Sequence, residues 1–324
     1  MLIRRALAAS ATIGLLALGA AGCGSGAEPG TRGERVEVAA AFYALEYAVE
    51  RVGGDDVQVT GLTKPGVEPH DVELSARKVA SVALADLVVY FKGFQPAVDE
   101  AVHSQARGHV LDVSAAARPL VAEAHDHEDE SPTEQQGHAD EGHADDGHAE
   151  VSVDPHFWLD PQRYADVAEA IGADLAQIDP AHAQAYRERT AAFTGELAAL
   201  DKEFSAGLAQ CRSRELVTGH AAFGYLAAAY DLHQEGITGL TPEAEPSPAA
   251  LARIAAFVED QGVRTIYAET LVSRDVADTL ARETGARVAV LDPIEGLTDE
   301  SAGEDYFEVM RANLATLRTG QECP

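Results

Sequence analysis

Short apolar runs alternate with helix-spaced apolar positions along most of this chain. Residues 36–40 read as a strand, after which Phe42, Leu45, Val49 and Val52 recur at helical spacing until Gly53-Gly54 ends the helix. The rhythm continues with strands at 57–62, 87–91 and 109–113 and helices at 74–84 and 97–104. It resumes with strands at 216–218, 265–268 and 288–291 and helices at 221–230, 248–261, 272–284 and 306–317. Strands alternating with helices predict α/β lobes, each with a mostly parallel sheet covered on both faces.

Two helix starts stand between these halves, at Asp160-Pro161 and Asp179-Pro180. Each offers an acidic N-cap followed by proline at the first helical position. The second start leads into residues 181–209, which hold no proline and many good helix formers. At 1.5 Å per residue this helix is about 40 Å long, enough to run the height of a two-lobed molecule. The predicted organisation is an N-terminal lobe at 34–160, a helical section at 161–210 containing a long rigid linker at 180–209, and a C-terminal lobe at 211–323.

The first residues do not fit this pattern. Arg4 and Arg5 precede an apolar stretch from Ala6 to Ala21, too short for a membrane span of roughly 20 residues. It ends in Ala20-Ala21-Gly22-Cys23, small residues before a cysteine as in a bacterial lipobox, so residues 1–23 are expected to be a lipoprotein signal with Cys23 lipidated. The exported chain is then anchored to the outer face of the membrane, and 24–33 reads as a flexible tether. The remaining cysteines, Cys211 and Cys323, form an even pair outside the cytoplasm and are expected to be disulfide-bonded.

Composition narrows the partners. A formal charge of −30 over 324 residues excludes nucleic acid as a plausible ligand and suits a cation. Much of the acid lies in 124–150, where His125, His127, His138, His143 and His148 are interspersed with carboxylates and glycine recurs every five residues from Gly137. That composition offers no core, so the segment is expected to be disordered and to gather metal weakly.

Three other histidines are positioned rather than scattered. His70 and His220 occupy tight loops that follow predicted strands, and His156 lies between an Asp-Pro turn and an aromatic pair. Asp292 directly follows a strand. Ligands of open α/β sheets bind beyond the carboxyl ends of strands, so these four donors are expected to meet between the lobes. Three imidazoles and a carboxylate complete a tetrahedral zinc shell. Glu68, Asp71, Glu269, Glu295 and water compete with Asp292 for the fourth place. His103 and His182 read as helix-surface residues, and His109 and His233 as strand-edge residues.

Four segments carry a family resemblance: Gly66-Val67-Glu68-Pro69-His70-Asp71, Asp154-Pro155-His156-Phe157-Trp158-Leu159-Asp160-Pro161, Thr218-Gly219-His220-Ala221-Ala222-Phe223-Gly224 and Leu291-Asp292-Pro293-Ile294-Glu295-Gly296. Together they resemble the zinc/manganese solute-binding lipoproteins of ABC transporters, and the His-rich insertion resembles the zinc-uptake, ZnuA-like branch. The resemblance implies two lobes on a rigid helix, a metal held by residues 70, 156, 220 and 292, and delivery to a membrane permease by a monomer. Some zinc members place a ligating glutamate immediately before the first histidine, where this chain has Pro69. The manganese branch carries a carboxylate where this chain has His220, and imidazole-rich sites suit zinc. A manganese-binding homologue and a surface adhesin or zinc buffer are the alternatives. A zinc hydrolase needs an open coordination position and a general base, and the chain contains no His-Glu-x-x-His.

Overall fold

The computed structural model describes residues 35–120 and 153–324. The expected lipidation site Cys23, the signal and tether, and the five histidines of 124–150 lie outside them. Arg35 to Pro324 forms one compact unit.

The N-terminal lobe runs β1 (Val36–Ala40), α1 (Tyr43–Gly53), β2 (Val57–Gly61), α2 (Ala76–Leu84), β3 (Leu87–Tyr90), α3 (Pro96–Gln105), β4 (His109–Asp112) and the single turn α4 (Ser114–Ala117). Its sheet is parallel throughout, in the order β2-β1-β3-β4, with Val38 paired to both Val59 and Leu87. The C-terminal lobe repeats the plan with β5 (Glu215–Thr218), α7 (Gly224–Ala229), β6 (His233–Gly236), α8 (Pro248–Asp260), β7 (Thr265–Ala268), α9 (Asp275–Thr284) and β8 (Arg287–Val290). Its order, β6-β5-β7-β8, is the same topology. Each sheet is one in which successive βα units wind to either side of a first strand, the α/β pattern expected from the alternation of elements.

Between the lobes lie α5 (Pro161–Ile178) and α6 (Ala183–Leu208), and α10 (Tyr306–Gly320) closes the chain. On α6, Tyr186, Phe193, Leu197, Leu200, Phe204 and Leu208 form a buried stripe at helical spacing. At 26 residues the helix is about 39 Å long. One continuous apolar core includes Val38 and Val88 from the first lobe, Phe193 and Phe204 from α6, and Tyr225 and Leu291 from the second. A smaller core of Val217, Ile254, Ile266 and Leu280 lies within the second lobe. The lobes are therefore cemented through shared packing as well as joined by a helix.

Asp160 caps α5 by accepting the Gln162 N–H, with Pro161 at the first helical position, as the sequence predicts. Asp179-Pro180 does not start α6. The Asp179 carbonyl accepts the His182 N–H at 3.2 Å, so the Asp-Pro pair opens a four-residue turn and α6 begins at Ala183. The Asp179 carboxylate instead accepts the Tyr186 hydroxyl at 2.9 Å and faces His182 Nδ1 at 2.6 Å. Strand β6 reads His-Gln-Glu-Gly and has no apolar pattern; it is held by its parallel ladder to β5, from His233 opposite Glu215 to Gly236 opposite Thr218. Cys211 and Cys323 form a disulfide that ties the end of the helical section to the C-terminus.

Candidate metal centre

The loop after β2 carries His70. Its backbone is fixed by Gln95, whose side-chain amide donates to the Pro69 carbonyl at 3.0 Å and to the Thr63 hydroxyl at 2.9 Å. The Glu68 carboxylate accepts the His70 N–H at 3.0 Å and the Asp71 N–H at 3.3 Å. His156 precedes a short 3₁₀ turn at Phe157–Leu159. Asp154 Oδ1 accepts both its main-chain N–H at 2.9 Å and its ring Nδ1–H at 2.8 Å. His220 follows β5, and Glu269, the residue after β7, holds it in the same double manner. Oε1 accepts the main-chain N–H at 2.8 Å, and Oε2 makes a very short contact with Nδ1. Gly219 leaves room for this grip, because a Cβ at that position would lie 2.8 Å from Glu269 Oε1 and push the carboxylate aside.

With Nδ1 of His156 and His220 engaged from behind, Nε2 of each points to the centre. Glu295 Oε1 lies 3.0 Å from His70 Nε2, 3.0 Å from His156 Nε2 and 3.5 Å from His220 Nε2. The His70 and His156 Nε2 atoms are 3.3 Å apart, and donor atoms of all four residues lie within 4.8 Å of one another. Bonds of about 2.0–2.1 Å to a tetrahedral zinc place donors about 3.3–3.4 Å apart. The set thus has nearly the spacing of a zinc shell and closes on a metal with small adjustments. All four side chains are buried, from 7% exposed at His70 to 0% at His156 and His220. His220 Nε2 has no hydrogen-bond partner, an unsatisfied buried polar atom aimed at the point where a cation belongs.

Electrostatics reinforce this. Burial pushes the Glu295 carboxyl up, but the His156, His220 and His70 imidazoles gathered around it hold it well below the usual carboxylate range. Burial works against the His220 imidazolium, yet the Glu269 carboxylate outweighs it and raises His220 to about 10. His156 is raised as well, against the cost of burial, by Asp154 and Glu295. In the metal-free protein, protons on His156 and His220 supply the positive charge that the carboxylates demand. At the rim, Glu243 is pushed up to about 7 by its hydrogen bond to Asp71, by burial and by the charge of Glu68.

The structure places Glu295, and not the expected Asp292, beside the three imidazoles. Asp292 is buried but does not join the cluster; its Oδ1 accepts the Ile294 N–H at 2.8 Å and its Oδ2 the Ser301 hydroxyl at 2.7 Å. The turn it stabilises carries Glu295, one of the competing acids, into the fourth position. Glu269 stands behind His220, and Glu68 lies 3.9 Å from His70 Nε2. Asp71 is exposed. The other histidines lie apart: His109 pairs with Asp174 at 3.0 Å, His233 with Glu215 at 3.1 Å, His182 caps α6, and His103 is exposed on α3. The supporting roles of Asp154 and Glu269 were missed by sequence reasoning. Asp154 stands two residues before His156, a spacing that fits a carboxylate folding back on the ring, whereas Glu269 gives no local sign of its contact with residue 220.

Two topologically identical lobes with a buried nest of three imidazoles and one carboxylate define a two-lobed binding protein whose cleft can hold a divalent metal. The chain belongs to the ZnuA family, described as zinc-uptake complex component A, periplasmic, which matches residues 38–320. The zinc-binding protein AdcA of Streptococcus pyogenes is 37% identical over 289 residues, covering 88% of this chain and 56% of that protein. The chain thus spans about half the length of that relative. The high-affinity zinc uptake system protein ZnuA of Bacillus subtilis is 34% identical over 92% of each chain. The crystal structure of the Zn(II)-bound ZnuA-like domain of Streptococcus pneumoniae AdcA matches with a TM-score of 0.70 at 31% identity, covering 89% of this chain and 99% of that one.

Proposed function

We propose that this protein captures Zn²⁺ outside the cytoplasm and passes it to an ABC-type permease, with His70, His156, His220 and Glu295 as the ligands. The observation that carries this reading is the convergence of three Nε2 atoms on one carboxylate oxygen in a buried cleft. The lobes at 34–160 and 211–323 act as the two jaws, set on the helices of 161–210. Zinc fits better than manganese, because three imidazoles outnumber the single oxygen donor and manganese prefers harder ligands. The four protein donors fill a tetrahedral shell, leaving none of the open positions a hydrolytic zinc needs. Lipidation at Cys23 holds the protein at the membrane surface, where the permease lies.

The test is competition of the metal-free protein with a chromogenic chelator for Zn²⁺ and for Mn²⁺, followed by zinc-limited growth of a deletion strain. One tight zinc, weak manganese and growth restored by the intact gene are expected. Equal affinity for the two metals, or a tight site that survives loss of both His220 and Glu295, rejects the assignment.

A further inference from the structure

One peptide bond beside the metal centre is gripped at both ends. The Pro293 carbonyl accepts the Trp158 indole N–H at 2.7 Å, and the Ile294 N–H donates to Asp292 Oδ1 at 2.8 Å. These two groups belong to the same peptide plane. Ile294, the residue on its far side, has φ 56° and is fully buried. A β-branched residue in the left-handed region is a true outlier, and such strain persists only where its surroundings over-determine it.

The surroundings here do so. Asn313 on α10 holds the Asp292 backbone on both sides, accepting its N–H at 2.9 Å and donating to its carbonyl at 2.7 Å. The Tyr306 hydroxyl donates to the Trp158 carbonyl at 2.6 Å. Glu295 is the next residue after the strained one. Trp158 stands two residues after His156 and belongs to the first lobe, whereas Pro293 belongs to the second.

We propose that Trp158 and Asp292 are positioning residues that clamp the Pro293–Ile294 peptide, hold Ile294 left-handed and so aim Glu295 at the metal. The clamp crosses from one lobe to the other, so it pairs Glu295 with His156 before metal arrives. Without the indole hydrogen bond Ile294 can relax and the carboxylate withdraw, so the clamp also slows release of the metal. This inference rests on Glu295 being a zinc ligand.

The test uses the mature protein with W158F, D292A and E295Q, and with the first two combined with I294G. Zinc affinity is read by chelator competition, release by stopped flow into excess chelator, and the ligand set by the Co²⁺ visible spectrum. Loss of either grip is expected to weaken zinc roughly tenfold, the scale of one buried hydrogen bond, mainly through faster release. Glycine enters the left-handed region without penalty, so I294G should shrink the loss caused by W158F and by D292A. Simple destabilisation lowers the melting temperature of the metal-free protein without that rescue. If W158F does not fold, D292A with and without I294G carries the same comparison. Wild-type affinity and release in W158F and D292A, with E295Q impaired, overturns the clamp. An equal loss with and without I294G overturns it as well. Unimpaired zinc binding by E295Q removes the ligand the clamp serves and overturns the site assignment with it.

Discussion

Glu269 grips His220 at two points, taking its main-chain N–H on one carboxylate oxygen and its ring Nδ1–H on the other. Asp154 does the same for His156 with a single oxygen. Glu68 accepts only the main-chain N–H of His70. Each of the three histidines thus has its main-chain N–H held by an acid, but only two of the three rings are held by one. Carboxylates that accept the far ring N–H raise ligand basicity and fix orientation. They also place buried negative charge around the centre, which a divalent cation offsets better than protons do.

Glu269→Gln should therefore weaken zinc about 10- to 100-fold, the usual scale for loss of such a partner. The amide keeps the shape but loses the charge. Asp154→Asn should behave alike, whereas Glu68→Gln should do less because it leaves the ring of His70 untouched. Chelator competition on the three variants checks the ranking; a Glu269→Gln protein that binds as tightly as wild type contradicts it.

The stability of the metal-free protein and its affinity for zinc should change in opposite directions with pH. His220 is raised from its ordinary value to about 10 in the folded metal-free protein. A raised folded-state pKa contributes stability that is fully present below the unfolded value of about 6.5 and is lost as pH climbs through the folded one. Between those limits the metal-free protein should lose stability. Zinc must displace the same proton, since only neutral imidazole ligates, so its affinity should rise over the same range. The zinc-induced rise in melting temperature should widen from pH 6.5 towards 10, and calorimetry in buffers of different ionisation enthalpy should show proton release. A constant gap with no proton release is the contrary result.

Most elements were legible in the sequence because their apolar periodicity is strong; strand β7 begins and ends where that periodicity places it, at Thr265 and Ala268. Strand β6 was not, because an edge strand of His, Gln, Glu and Gly is specified by its neighbour's backbone and not by its own side chains. The three histidines were legible because loops after strands, or after an Asp-Pro turn, are few. The fourth donor was not. Asp292 and Glu295 stand three residues apart in one turn, and the choice between them depends on the left-handed φ of Ile294. Neither glycine nor asparagine marks that position, and the Trp158 hydrogen bond that helps enforce it comes from a residue 135 positions away.

The disulfide should matter for stability and little for metal. It closes a sequence separation of 112 residues, for which chain-entropy reasoning gives about 4–5 kcal/mol. The chain end is also pinned independently: the Gln321 carbonyl accepts the Arg212 and Ser213 N–H groups, and its side-chain amide donates to the Glu215 carbonyl at 2.9 Å. Cys211→Ser with Cys323→Ser should therefore lower the denaturation midpoint without releasing the C-terminus, and zinc affinity should stay close to that of the parent. Parallel denaturant titrations and chelator competition test both halves. A large loss of affinity means that the bond transmits strain to the site.

Deleting residues 124–150 should separate gathering of metal from holding it. The four donors of the centre lie outside that segment, in loops fixed by Gln95, Asp154, Glu269 and Asp292. The segment carries His125, His127, His138, His143 and His148 among many acids, with no large apolar side chain to build a preformed site. Any chelate it forms must lose conformational entropy on closing, so its sites should be weaker than the centre and more than one in number. A calorimetric zinc titration of the intact chain should show one tight step followed by weaker ones. The deletion should abolish the weaker steps and leave the tight step in place, with slower zinc loading from dilute solution. If the tight step disappears, the segment contributes ligands to the centre itself. If no zinc equivalents are lost, its histidines have no part in capture.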